Sequence, residues 1–201
     1  MINQKDLQKI KQEIEAFEEL RERMIVDSRE ILHHSKKAIH AVHRNELDEA
    51  PTLLKQAEQA LKKLTKVIQG DRSLASVGAY RSSIQEYVEA ACYYSFVKKR
   101  TLLPRHELKV DYEDYLLGLC DLTGELARRA VVCATRRDVQ QINDIKNLIE
   151  GVYDFFISLN LRDWELRKKA DAIKWNLKKL EEILYDLHLR SGEKPQYNPS
   201  A

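Results

Sequence analysis

Glycine and proline are scarce, 6 and 4 in 201 residues. That is too little material for the turns of a sheet-rich fold, so the sequence excludes most β architectures and predicts helices. Cysteine is nearly absent too: Cys92, Cys120 and Cys133 are far apart, odd in number and form no CxxC pair. They argue against a disulfide framework and read as small core residues in a reducing compartment. No apolar run approaches the roughly 18 residues of a membrane span, and MINQKDLQKI lacks a signal-peptide core. The expectation is a soluble, cytoplasmic protein with no membrane partner. An excess of one charge sign is also missing, the net charge being only +2, so a nucleic-acid site must arise from local arrangement of basic residues. No GxxxxGK[ST] loop, GxGxxG turn or GxSxG elbow is present, which leaves nucleotide hydrolysis, dinucleotide binding and serine hydrolysis without a motif.

What is present is amphipathic helix: 43% hydrophobic and 33% charged residues in a length suited to one substantial core. Leu7, Ile10, Ile14, Phe17, Met24, Ile31, Ala38 and Val42 keep three-and-four spacing without an intervening glycine or proline. One helix is therefore expected from about Asn3 to Arg44, long enough to overhang its own subunit and meet a neighbour. Asp48 and Pro51 open a second helix that Gly70 ends, and a third is expected from about Arg72 to Arg100. After Leu103-Pro104, helices are expected at Asp111 to Ala134, Asp138 to Leu159 and Asp163 to Leu189. In the last, Leu166, Ala170, Ile173, Leu177, Leu180, Leu184 and Leu187 form a bundle-type seam. The pattern predicts a single all-α domain over residues 1–190 and a disordered tail over 191–201, where SGEKPQYNPSA begins with a helix-stopping pair.

The most informative segment is QEYVEAACYYSFV. Glu86 and Glu89, three apart, share a helix face, and Glu89 is the lone charge between Tyr87 and Val97. A carboxylate in such surroundings is costly unless protonated, paired or metal-bound; pairing with arginines between helices is the structural alternative. On the next long helix Asp114, Gly118, Asp121 and Glu125 make an acidic stripe with a glycine gap, flanked by leucines that leave little of the helix looking exposed. Asp154, within GVYDFF, is again a lone acid among apolar residues. Three helices are thus expected to carry carboxylates inward, the oxygen ligands that Mg²⁺ or Mn²⁺ requires. A di-iron site normally uses two Glu-x-x-His elements, and here only Glu30-Ile31-Leu32-His33 occurs. His33, His40 and His43 could line one helix face for metal or for RNA. Basic residues cluster on the first helix at Arg21, Arg23, Arg29, Lys36, Lys37 and Arg44, and after the acids at Lys98-Lys99-Arg100 and Arg128-Arg129. Such runs usually face water; beside acidic residues they also suit phosphate positioning in a metal-dependent nuclease.

These segments resemble the translin superfamily, from about Arg29 to Arg190. The resemblance lies in Ser28-Arg-Glu-Ile, Ser35-Lys-Lys, His43-Arg44, QEYVEA, DYLLGLCDLTGEL, VYDFF and the helix LRKKADAIKWNLKKLEEILYDLHLR. At Glu86, Glu89 and Asp154 the chain looks like the catalytic TRAX branch, whereas its C-terminal helix looks closer to translin itself, the RNA-binding scaffold. The resemblance implies an antiparallel helical bundle with a long N-terminal helix. It also implies a barrel-like homo-oligomer, an octamer, that encloses single-stranded or short duplex RNA. By the same resemblance Glu86, Glu89 and Asp154 are the catalytic metal ligands, Asp121 and Glu125 support them, and Mg²⁺ or Mn²⁺ is the cofactor of an endoribonuclease. Lys98, Lys99, Arg100 and Arg128 are the candidate RNA contacts. The alternative is a non-catalytic oligomer that binds RNA or single strands and whose acids are structural.

Overall fold

The computed structural model describes residues 3–70, 72–160 and 164–191. Helix α1 spans Gln4–His43, its first turn capped by the Asn3 side chain, which accepts from the backbone N–H groups of Lys5 and Asp6. At 1.5 Å per residue its 40 residues extend about 60 Å. The two halves of α1 differ. Leu7, Ile10, Ile14 and Leu20 are exposed, whereas Met24, Ile31, Ala38 and Val42 are buried. The overhang expected from length alone is therefore present.

Helix α2, Ala50–Gly70, is followed by a 3₁₀ turn at Arg72–Ser76 and then by α3, Gly78–Lys99. The third helix thus opens later than the periodicity predicts. The Ser76 hydroxyl donates to the Ser73 carbonyl at 2.8 Å, and Leu74 is fully buried in the turn. Serine competing for backbone bonds and glycine at the helix start favour that break. A short helix α4, Arg105–Leu108, interrupts the connection to α5, Tyr112–Thr135. Asp138 caps α6, Val139–Ser158, by accepting from the Gln141 N–H at 3.0 Å, and α7 covers Trp164–Ser191. Among the described residues there are seven α-helices and no strand. The expected tail, from residue 192 on, and Asp163 lie outside the described residues.

Helix α1 packs on α2 and α3, α3 on α5, and α5 on α7, while α6 lies against α5 and α7. The Leu166 to Leu187 seam is used within the chain: Leu166, Ile173 and Leu180 are buried and Ala170, Leu177, Leu184 and Leu187 pack against the core. The seam is thus covered within the chain, and the exposed apolar side chains of α7 are Trp164, Trp175, Tyr185 and Leu189.

One contact sets the position of the acidic residues. A Cβ on Gly118 would lie 2.7 Å from the Val88 Cβ and 2.8 Å from the Gln85 carbonyl oxygen. Only glycine permits α3 and α5 to approach this closely. The close approach falls beside Glu86 and Glu89 on one helix and one turn before Asp121 on the other.

Candidate functional site

Asp114, the first acid of the α5 stripe, is 6% exposed but paired. Arg81 donates to it at 3.0 Å while also bonding Glu113 at 3.0 Å, and the Gln85 amide donates to it at 3.2 Å. This is a structural tie between α3 and α5, the pairing that keeps a buried carboxylate tolerable.

About two and three turns further along α5 the balance changes. Glu86 and Glu89 from α3 sense Asp121 and Glu125 from α5 as like charges. Glu89 is 8% exposed, and among the described residues neither it nor Glu86 has an ion-pair or hydrogen-bond partner. Burial, followed by repulsion from Glu86, Asp121 and Glu125, pushes the Glu89 carboxyl up to about 9. Glu86 is raised as well, chiefly by burial, with Lys36 opposing the shift. Glu86 disfavours ionisation of Glu89, and Asp121 and Glu125 disfavour ionisation of both.

The remaining two acids are held. His43, from the end of α1, hydrogen-bonds Glu125 through Nε2 and meets the Tyr93 hydroxyl through Nδ1 at 3.1 Å. An ionised carboxylate only accepts, so Nε2 donates, and in the neutral ring Nδ1 accepts from Tyr93. That bond holds Glu125 below the usual carboxylate range. Arg128 adds a longer contact to Glu125 at 3.6 Å. Asp121 is bound by Lys169 of α7, whose Nζ lies 2.6 Å from the carboxylate and 3.2 Å from Oε1 of Gln85.

The structure therefore brings together Glu86, Glu89, Asp121 and Glu125. Asp154 is not among the charges that act on Glu86 and Glu89. Asp154 is exposed on α6, and the expectation that it points inward is corrected: Ile142, Ile145, Ile149, Val152 and Phe156 form the buried face, and Asp154 is on the other, beside the exposed Phe155 and Ile157. Lys98, Lys99, Arg100 and Arg128 are all exposed. Arg100 lies over the Phe96 ring at 5.6 Å and 3.7 Å from Asp144, and Arg128 is the member of the set next to the acids. Sequence reasoning missed Lys169 as a site residue and placed His43 only on a helix face. The four-and-three spacing of Lys36, His40 and His43 is the signal that these face one side, and Lys36 and His40 are indeed felt by Glu86 and Glu125.

Four carboxylates have the hard oxygen donors that Mg²⁺ or Mn²⁺ takes, and their mutual repulsion is what a divalent cation relieves. The donor chemistry fits such an ion. In the conformation described, no three acidic, histidine or cysteine side chains among the described residues converge into a ligand set.

An all-helical bundle with an overhanging first helix and a carboxylate cluster where α3 meets α5 is a protein class distinct from any α/β nuclease or hydrolase. More specifically, the chain belongs to the translin family, whose model matches residues 19–191. It is similar to translin-associated protein X of Mus musculus, with 27% identity over 227 aligned residues covering 92% of this chain and 78% of that protein. Two solved structures share the fold. One, described as apo-NeC3PO, has a TM-score of 0.83 and 24% identity, covering 93% of this chain and 98% of the other. The other, an AfC3PO–duplex RNA complex, has a TM-score of 0.78 and 23% identity, covering 94% and 100%. No helix among the described residues is long and apolar enough to cross a membrane.

Proposed function

We propose that this chain is a metal-dependent endoribonuclease that works as a homo-oligomer, cleaving RNA at the acids of α3 and α5. The observation that carries the reading is the unpartnered pair Glu86 and Glu89, held in a half-buried to buried site facing Asp121 and Glu125. A folded protein keeps unpartnered acids in such a site where the acids have a use. Translin-family membership, and similarity in fold to a protein whose structure is described as a duplex RNA complex, support RNA as the ligand. The uncovered apolar residues Leu7, Ile10, Ile14 and Leu20 on α1 support assembly, the octamer being the stoichiometry we infer.

Glu86, Glu89, Asp121 and Glu125 would hold Mg²⁺ or Mn²⁺; Asp154, from its exposed position, would not. When bound, the ion supplies Lewis-acid polarisation of a phosphodiester and a water of lowered pKa. The chain's own residues set the stage for this. The α3–α5 contact at Gly118 fixes the spacing of the two acidic pairs on rigid helices. His43, braced by Tyr93, keeps Glu125 ionised and oriented. Burial of Glu89 lets it carry a proton at neutral pH until a cation takes that place. Arg128 and the exposed Lys98, Lys99 and Arg100 offer cations to the phosphate backbone, so RNA affinity falls as salt rises with little dependence on base sequence.

That no three ligating side chains converge among the described residues favours the second reading, an RNA-binding oligomer without catalysis. Incubating labelled single-stranded RNA with the protein in Mg²⁺ or Mn²⁺, against excess chelator, separates the two. Cation-dependent cleavage supports the nuclease; binding with intact RNA in every condition supports the scaffold.

A further inference from the structure

Of the four clustered acids, Glu125 is served by His43 and Arg128 and Asp121 by Lys169, while Glu86 and Glu89 have no partner among the described residues. Lys169 differs from the other cations in where it comes from and what else it touches. It projects from α7, and its ammonium spans Asp121 on α5 at 2.6 Å and Gln85 Oε1 on α3 at 3.2 Å. The Gln85 amide in turn donates to Asp114, which Arg81 holds. Gln85 is buried and fixed at both ends, so its carbonyl oxygen remains a partner for the ammonium even when Asp121 turns away.

We propose that Lys169 is the built-in counter-ion of the acidic cluster, holding Asp121 and surrendering it to a divalent cation. The inference rests on the metal-site reading above. It accounts for one part of why no three of the acids converge: Asp121 is drawn toward α7 by Lys169, while Glu125 is drawn toward α1 by His43. A lysine suits the role, because an ammonium on a flexible stem changes partner easily, whereas a guanidinium would clamp the carboxylate in two-point contact. Lys169 is thus a positioning residue that competes with the cation. A residue that merely built the site would have the opposite effect on affinity when removed.

The test is Mn²⁺ affinity of the full-length oligomer, read by electron paramagnetic resonance of free Mn²⁺ without RNA and without any activity measurement. Lys169→Met and Lys169→Gln should each bind Mn²⁺ about tenfold more tightly than wild type, the size of effect typical of groups surrounding a metal's ligands. Lys169→Gln serves as the variant of record if the methionine form does not fold. Saturable binding by wild type with equal or weaker affinity in the variants overturns the counter-ion role and leaves the metal site standing. No saturable Mn²⁺ binding by wild type or either variant overturns the metal-site reading and this inference together.

Discussion

Two acidic groups lie along the same pair of helices and behave as opposites. At Asp114 the carboxylate is more deeply buried than Glu89 and yet fully answered, by Arg81 and Gln85. At Glu86, Glu89, Asp121 and Glu125 there are four acids and too few cations, and the most buried of them has none. Asp114 and Glu89 are both carboxylates and are alike in burial, so neither property distinguishes a structural acid from one kept for chemistry; the partner does. A paired acid joins helices, and an unpaired one stores repulsion that a ligand can relieve.

The largest expected effect separates the two groups by activity. Glu89→Gln should lower RNA cleavage at least about 100-fold, because it removes a charge with little change in volume. Arg81→Met, at a temperature where it stays folded, should leave cleavage within a few-fold of wild type. The next effect is on stability against pH in the absence of divalent cations. Glu89 ionises near 4.5 when unfolded and near 9 when folded. Between these values the native state holds the extra proton, so stability declines as pH rises, by at most about 1.4 kcal/mol per pH unit. Thermal unfolding from pH 6 to 8 in chelator should show that decline in wild type and a flatter profile in Glu89→Gln. An unaltered slope in the variant would locate the titrating group elsewhere.

The structural group should answer to Arg81→Met by losing about 2 kcal/mol in urea unfolding. This is below the cost of breaking a fully buried pair, since the guanidinium is partly exposed. Gly118→Ala should cost about 1 kcal/mol net. Overpacking against Val88 and the Gln85 carbonyl opposes a gain in helix propensity. It should also reduce cleavage by spreading the two acidic pairs. Stability equal to or above wild type with full cleavage would mean that the helix spacing does not matter.

The asymmetry between the groups was only partly legible in the chain. Glu89 stands out in YVEAACYYSFV because a long apolar helix segment has no exposed face on which to put a charge. The glycine gap in the α5 stripe marks a close helix contact for the same steric reason. Asp154 misled because α6 is apolar on more than one side: Phe155 and Ile157 are exposed, so an acid between apolar neighbours is not thereby inside. The division of the α5 stripe into a paired Asp114 and clustered Asp121 and Glu125 depends on Arg81, 33 residues away from Asp114, a tertiary fact that no helical spacing encodes. Lys169 was hidden likewise in a basic run that reads as solvated surface. The α7 seam was legible as a packing face, but not whether its partner was the same chain.

The most direct test of the central claim, that the working acids are those gathered where α3 meets α5, is one cleavage experiment on four proteins. Wild type, Glu89→Gln, Asp121→Asn and Asp154→Asn are assayed with labelled single-stranded RNA in saturating Mn²⁺, each first shown to retain the wild-type assembly and RNA affinity. The account predicts cleavage by wild type and Asp154→Asn at similar rates, and a loss of at least about 100-fold in the other two. Full activity in Glu89→Gln and Asp121→Asn, or its loss in Asp154→Asn alone, would contradict it.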